Sequence, residues 1–181
     1  MQETWLASDE LSFLGNIHVD FYGKGTSAVD VTSGTLNGRP HGGVAILWRK
    51  TLVSVSLLDL QDVRLIGIKI KCGDIQIALL NVYLPVDCSQ NIDDFLFYLS
   101  KIEDFMDNYS PYAAVLGDFN TNLLQNSHSV FRRHLIQHCT DNNLVIADPH
   151  YCSQDTFTFF SDAHQSVSWL DHMITNINIL S

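Results

Sequence analysis

Apolar positions fall along this chain in short runs broken by Gly, Asp, Asn and Ser. Gly43-Val44-Ala45-Ile46-Leu47-Trp48 is an apolar run that starts at the second of two glycines. Residues 52–58 alternate Val and Ser with period two, the pattern of a half-buried strand. Residues 64–71 and 75–83 flank the polar turn Cys72-Gly73-Asp74 and predict a β-hairpin. Residues 76–80 are nearly all apolar, so the second strand of that hairpin is expected to be covered on both faces. Ala113-Ala114-Val115-Leu116-Gly117-Asp118 predicts a buried strand that ends in a tight polar turn. A last hairpin, residues 156–160 and 166–175, turns over Asp162-Ala163-His164.

Two segments change period. From Ile92 onward, apolar residues fall at Phe95, Leu96, Leu99, Ile102, Phe105 and Met106, the spacing of one helical face. Asn91 is the candidate N-cap, and Asp93 and Asp94 lie in the first turn, where they complement the helix dipole. A second helix is predicted over residues 129–141, with Leu135, Ile136 and Cys139 facing inward. Strand meanders with helices inserted between them predict an α/β sandwich, two packed and mostly antiparallel sheets flanked by helices. No repeat, linker or low-complexity stretch divides residues 1–181, so one domain is the economical expectation.

Composition narrows the class. With 46% hydrophobic and 17% charged residues, the 181-residue chain is neither disordered nor fibrous. The apolar runs are too short for a membrane span, and Met1-Gln2-Glu3-Thr4-Trp5 does not open a signal peptide. Cys72, Cys88, Cys139 and Cys152 are scattered without a CxxC pair, which predicts reduced, packed thiols of an intracellular protein. The formal net charge of -10 counts against a long polyanionic substrate. It is compatible with a site whose carboxylates surround a divalent cation, because the ion inverts the local field.

Four segments carry candidate chemistry, each with a bland alternative. In Gly117-Asp118-Phe119-Asn120 an apolar strand delivers an acid and an amide to its C-terminal mouth, where sites in α/β sheets tend to lie. Asp118 there can orient a nucleophilic water or lie beside a metal, and Asn120 can donate to a phosphate oxygen. The bland alternative is an Asx-type turn. In Gln2-Glu3-Thr4-Trp5-Leu6, Glu3 is either a surface residue or a ligand of Mg²⁺, which needs only one or two carboxylates. In Asn81-Val82-Tyr83-Leu84-Pro85, the Tyr83 hydroxyl either faces a phosphate or belongs to an aromatic side chain half-buried at a sheet edge. In Ser168-Trp169-Leu170-Asp171-His172, Asp171 and His172 lie on opposite faces of a strand. Arg39 and His41 lie in a glycine-rich loop, where Arg39 can reach a nucleic-acid backbone and His41 is read as a loop residue. The basic clusters Arg49-Lys50 and Arg132-Arg133-His134 read as solvated faces, and the other histidines lack metal-ligand spacing.

The order of Gln2-Glu3-Thr4, Gly38-Arg39-Pro40-His41-Gly42-Gly43, Asn81-Val82-Tyr83-Leu84-Pro85, Gly117-Asp118-Phe119-Asn120 and Trp169-Leu170-Asp171-His172 resembles the endonuclease/exonuclease/phosphatase superfamily. The wording is most similar to the apurinic-like endonuclease domain of LINE-type (non-LTR) retrotransposons. This resemblance implies a DNase I-like fold and hydrolysis of DNA phosphodiesters with Mg²⁺ or Mn²⁺. It implies Glu3 as metal ligand, Tyr83 and Asn120 on the phosphate, Asp118 on the attacking water, and Asp171 orienting a histidine from elsewhere in the chain. Asn122 is implied as a further polar contact, and Arg39 as a contact to the DNA backbone. A nuclear place of action follows from a DNA substrate.

The resemblance also implies an earlier strand bearing an Asn behind the metal glutamate, and a terminal Ser-Asp-His element. Leu170-Asp171-His172 resembles the element before that terminus, because an apolar strand follows it directly. The expectation is therefore an incomplete domain, truncated at both ends and inactive for want of its general base. Two alternatives stand beside it: a phosphatase or phosphodiesterase of the same fold acting on a small phosphate ester, and a decayed, non-catalytic remnant.

Overall fold

The computed structural model describes residues 1–29, 42–109, 112–123, 129–153 and 155–176. The chain divides into two compact units, Met1–Tyr83 and Leu84–Ser181.

In the first unit, β1 (Phe21–Gly25) pairs antiparallel with β2 (Ala45–Arg49), while β3 (Val55–Leu57), β4 (Leu65–Cys72) and β5 (Ile75–Tyr83) lie side by side in that order. The β4–β5 hairpin forms as expected, with Cys72 joining the ladder opposite Ile75 so that the turn tightens to Gly73-Asp74, and Gly73 supplies its left-handed φ of 62°. Burial along β5 is continuous at residues 80–82, while Ile75 and Gln76 are exposed. Cover on both faces thus begins later than the apolar run suggested, because the start of the strand lies at the exposed turn. β3 is only three residues long, and Val53, in the alternating run, is 91% exposed. β3 lies at the edge of its sheet, so it pairs on one side and little apolar surface rewards its extension. A 3₁₀ segment, Glu10–Asn16, lays its one buried residue, Leu14, against β1. A Cβ at Gly23 would lie 2.1 Å from the Leu14 carbonyl oxygen, so this contact requires glycine.

In the second unit, α1 (Ile92–Tyr109) precedes β6 (Tyr112–Asp118), and α2 (Val130–Asp141) precedes β7 (Leu144–Ile146). A single helical turn, α3 (Asp148–Tyr151), follows, then β8 (Phe159–Ser161), β9 (Ser166–Ser168) and β10 (Asp171–Asn176). β10 lies between β6 and β7, antiparallel to both. α1 packs on β6 and α2 on β7, and Phe95 stacks on Phe131 with ring centroids 4.1 Å apart. The buried stripe of α1 is Phe95, Leu99, Ile102, Phe105 and Met106, as its periodicity predicts, but Leu96 on its flank is 39% exposed. In α2, Phe131, Leu135 and Cys139 are buried and Ile136 is exposed.

Three local expectations change. Asn91 belongs to a 3₁₀ turn, Ser89–Asn91, and donates its side-chain amide to the Val86 carbonyl, so it does not cap α1. The last hairpin keeps only the three-residue strands β8 and β9, and its second limb breaks at Trp169-Leu170. Beyond the break, β10 buries His172, Ile174 and Thr175 between β6 and β7, an environment the short, exposed β8 cannot offer. All four cysteines are free, but Cys72 and Cys152 are exposed. Cys139 is packed, and burial pushes its thiol up to about 12. Among the described residues no helix is long and apolar enough to cross a membrane.

Candidate active site

In the first unit lie Glu3 and Tyr83. Residues 1–5 run along residues 42–45: Gln2 bridges Val44, and the Thr4 and Trp5 amides donate to the Gly43 and Gly42 carbonyls. Gly42 and Gly43 have φ of 69° and 80°, and a Cβ on Gly43 would lie 2.6 Å from Thr4 Oγ1. The glycine pair is thus what lets the segment bearing Glu3 approach so closely. Glu3 itself has φ of 50°, a left-handed conformation that is costly for a non-glycine residue and recurs at functional sites. Its carboxylate is exposed, and its Oε1 accepts a 2.7 Å hydrogen bond from the Tyr83 hydroxyl.

Two neighbours hold this pair, and the search for site residues along the sequence passed over both. Asn81 is 6% exposed; its amide donates to the carbonyls of Met1 and Ala45, and its Oδ1 accepts a 2.6 Å bond from Gln2 Nε2. A buried amide that satisfies several partners fixes the segment carrying Glu3. The signal was an isolated Asn inside an otherwise apolar strand. Arg64 donates to the Tyr83 carbonyl at 3.1 Å, and its guanidinium lies 5.3 Å from the centre of the Tyr83 ring. That contact was legible from the hairpin, because the pairing Leu65↔Val82 carries on to Arg64 and Tyr83. Replacing Asn81 by Ala is expected to cost ~1–3 kcal/mol, the penalty of buried polar groups left without partners. A urea midpoint unchanged from wild type would refute this role.

In the second unit lie Asp118, Asn120 and Asp171. Asp118 closes β6, and its register partner across the antiparallel ladder is Asp171, the first residue of β10. Side chains directly opposite on neighbouring strands share a face, so two acids meet at one strand mouth, an arrangement that like charge alone disfavours. Asp118 Oδ1 accepts from the Asn120 amide at 2.7 Å, the Asx-type turn weighed as the bland reading. Asn120 has φ of 48°, and its Nδ2 donates to the Leu84 carbonyl at 2.8 Å. An amide nitrogen has two hydrogens, so this bond leaves one for another acceptor. The Asp171 amide donates to Thr158 Oγ1, another residue the motifs did not flag. Asn122 Oδ1 accepts from the Trp169 amide at 3.2 Å, which ties the loop after β6 to the segment before β10. His172 is buried on the face opposite Asp171. Arg39 and His41 lie outside the described residues.

The donors suit a hard, oxygen-seeking cation. Among the described residues no three His, Cys, Asp or Glu side chains cluster as a metal cage. Mg²⁺ needs no such cage: it takes one or two carboxylates and keeps its waters. Glu3 is such a carboxylate, exposed and oriented by the Tyr83 hydroxyl.

A model of the Endonuclease/Exonuclease/phosphatase family matches residues 1–178. Solved structures with a similar fold include the endonuclease domain of TRAS1, a telomere-specific non-LTR retrotransposon, at 16% identity and a TM-score of 0.65, covering 97% of this chain and 81% of that one. The AP endonuclease LMAP from Leishmania major is 13% identical with a TM-score of 0.70, covering 97% of this chain and 68% of that one. A mannosyl-6-phosphatase from Bacteroides thetaiotaomicron VPI-5482 is 15% identical with a TM-score of 0.62, covering 97% of this chain and 69% of that one. At such identities the likeness is one of fold, DNase I-like and mixed α/β. No curated protein sequence matches the chain.

Proposed function

We propose, since the chain belongs to the endonuclease/exonuclease/phosphatase family, that it hydrolyses DNA phosphodiesters with Mg²⁺ as a strand-nicking endonuclease of a non-LTR retrotransposon. The observation that supports this reading most is the 2.7 Å bond from the Tyr83 hydroxyl to Glu3, two residues 80 positions apart that separate motifs had singled out. Glu3 would hold the ion, which when bound neutralises charge on the phosphate and the leaving oxygen. The remaining Asn120 hydrogen donates to a phosphate oxygen, and the Tyr83 hydroxyl, whose one hydrogen lies on Glu3 in this structure, would turn to a second phosphate oxygen when substrate binds. Asp118 aligns the attacking water and draws its proton as the oxygen advances. Asp171 would orient a histidine for the proton transfers; among the described residues no histidine bonds to it. DNA is then the partner and the nucleus the place of action.

Both the retrotransposon domain and the Leishmania enzyme are endonucleases by name, whereas the Bacteroides protein is a sugar phosphatase. The charge of -10 suits a small phosphate ester better than DNA, so the phosphatase reading is the second one to test.

Purified protein is expected to relax supercoiled plasmid in Mg²⁺ and to stop when EDTA removes the ion. A Glu3→Ala, Asp118→Ala double variant should lose at least ~10²-fold in rate. Undiminished nicking by the double variant overturns the assignment. Cleavage of a phosphate monoester without nicking moves the reading to a phosphatase. A folded wild type that cleaves neither overturns both hydrolase readings and supports a non-catalytic domain.

A further inference from the structure

β10 carries a buried imidazole that none of these roles uses. The His172 side chain is fully covered, and the rings of Phe119 and Trp169 lie beside it at 5.8 and 6.1 Å. Its Nδ1 is 2.7 Å from Asp148 Oδ2, and its Nε2 is 2.8 Å from the Thr121 carbonyl oxygen. The other Asp148 oxygen accepts from the Met173 amide at 2.7 Å. A backbone carbonyl accepts and never donates, and a carboxylate engaged by two donors does the same. The ring therefore donates in both directions, to α3 on one side and to the loop after β6 on the other. A buried polar ring is costly unless every nitrogen is paired, and here both are.

The loop it grips is residues 119–122. Thr121 is fully buried and returns its own hydroxyl to the Phe119 carbonyl. Between Phe119 and Thr121 stands Asn120, held at a left-handed φ of 48°. Such a conformation persists only when its surroundings over-determine it. The two segments flanking Asn120 are fixed by Phe119 N–H to the Leu170 carbonyl and by Leu123 N–H to the Trp169 carbonyl. His172 adds the one side-chain bond to the Thr121 carbonyl itself.

We propose that the His172–Asp148 pair is a clamp that positions the loop carrying Asn120, with His172 a positioning residue rather than a proton carrier. Its catalytic consequence rests on the nuclease reading; its structural consequence does not. Both ring nitrogens are engaged with protein acceptors, so no lone pair faces a substrate. A phenylalanine would fill the same space between Phe119 and Trp169 but would leave the Thr121 carbonyl without its donor.

The test uses Asp148→Asn, which keeps shape and the acceptor for Met173, beside His172→Phe, which keeps ring volume. In wild type, nitrogen-edited spectra of the ring should show two slowly exchanging ring N–H protons. In Asp148→Asn only one should remain. Amide exchange at Phe119 and Leu123 should rise roughly tenfold in His172→Phe, about what the loss of the bond to Thr121 releases, and by less in Asp148→Asn, whose remaining ring N–H still donates to that carbonyl. Nicking should fall by ~10–100-fold in kcat with little change in KM, the size typical of a lost orienting partner. Unchanged exchange in the variants, or a kcat unchanged in variants that remain folded, overturns the clamp. A wild type that nicks nothing while its variants show the faster exchange upholds the clamp and sinks only the nuclease reading.

Discussion

Asp118→Asn is expected to lower kcat for plasmid nicking by ~10²–10⁴-fold, the usual worth of a positioned acid–base group, with KM nearly unchanged. The substitution is close to isosteric. Its amide oxygen can still accept from the Asn120 backbone at the 2.7 Å position, so the turn after β6 survives. The backbone carbonyl of residue 118, which accepts from Leu84, is untouched. What disappears is the negative charge that, on the proposed reading, aligns the water and accepts its proton. The variant should also be slightly more stable, because Asp171 then faces a neutral partner across the ladder. Single-turnover nicking with a thermal melt on the same sample separates these effects. A rate within tenfold of wild type, from a protein that melts normally, would leave the Asx turn as the whole role of Asp118.

The largest expected effect on stability is that of Phe95→Ala. Phe95 is fully buried on α1 and stacks on the fully buried Phe131 of α2. Truncating such a ring removes its burial and leaves a cavity that helices fixed at both ends cannot close, at a cost of ~3–5 kcal/mol. Against a total stability of about 5–15 kcal/mol this is a large share. The melting temperature should fall by on the order of 10 °C. Phe97, two positions on, is the internal control: it is 53% exposed, and its loss should stay within about 0.5 kcal/mol. Equal losses in a urea titration would mean that the two faces of α1 have been assigned wrongly.

Parts of the candidate site were legible early because they rest on local chemistry. The Gly117-Asp118-Phe119-Asn120 turn follows from an apolar strand running into an acid and an amide. The glycine pair at Gly42 and Gly43 was visible as part of a glycine-rich loop before a strand, and the chain does pass there at positive φ. Other parts were hidden. Asn81 looked like one letter of a motif until its amide was found to hold three separate groups. His172 looked like an ordinary strand residue because Asp148 and Thr121, its partners, lie 24 and 51 positions away.

By itself the sequence determined the elements with a strong period: the buried stripe of α1, the β4–β5 hairpin, and the buried strand β6. These are encoded locally, since burial of one face selects the period and a single slip in register would turn that face to water. Tertiary structure alone decided which distant residues meet. It placed Tyr83 on Glu3 and Asp171 opposite Asp118, drew β10 away from its hairpin to lie between β6 and β7, and closed His172 on Asp148. Those pairings depend on which strands become neighbours, and that is set by the summed burial of whole elements against the entropy of closing the loops between them.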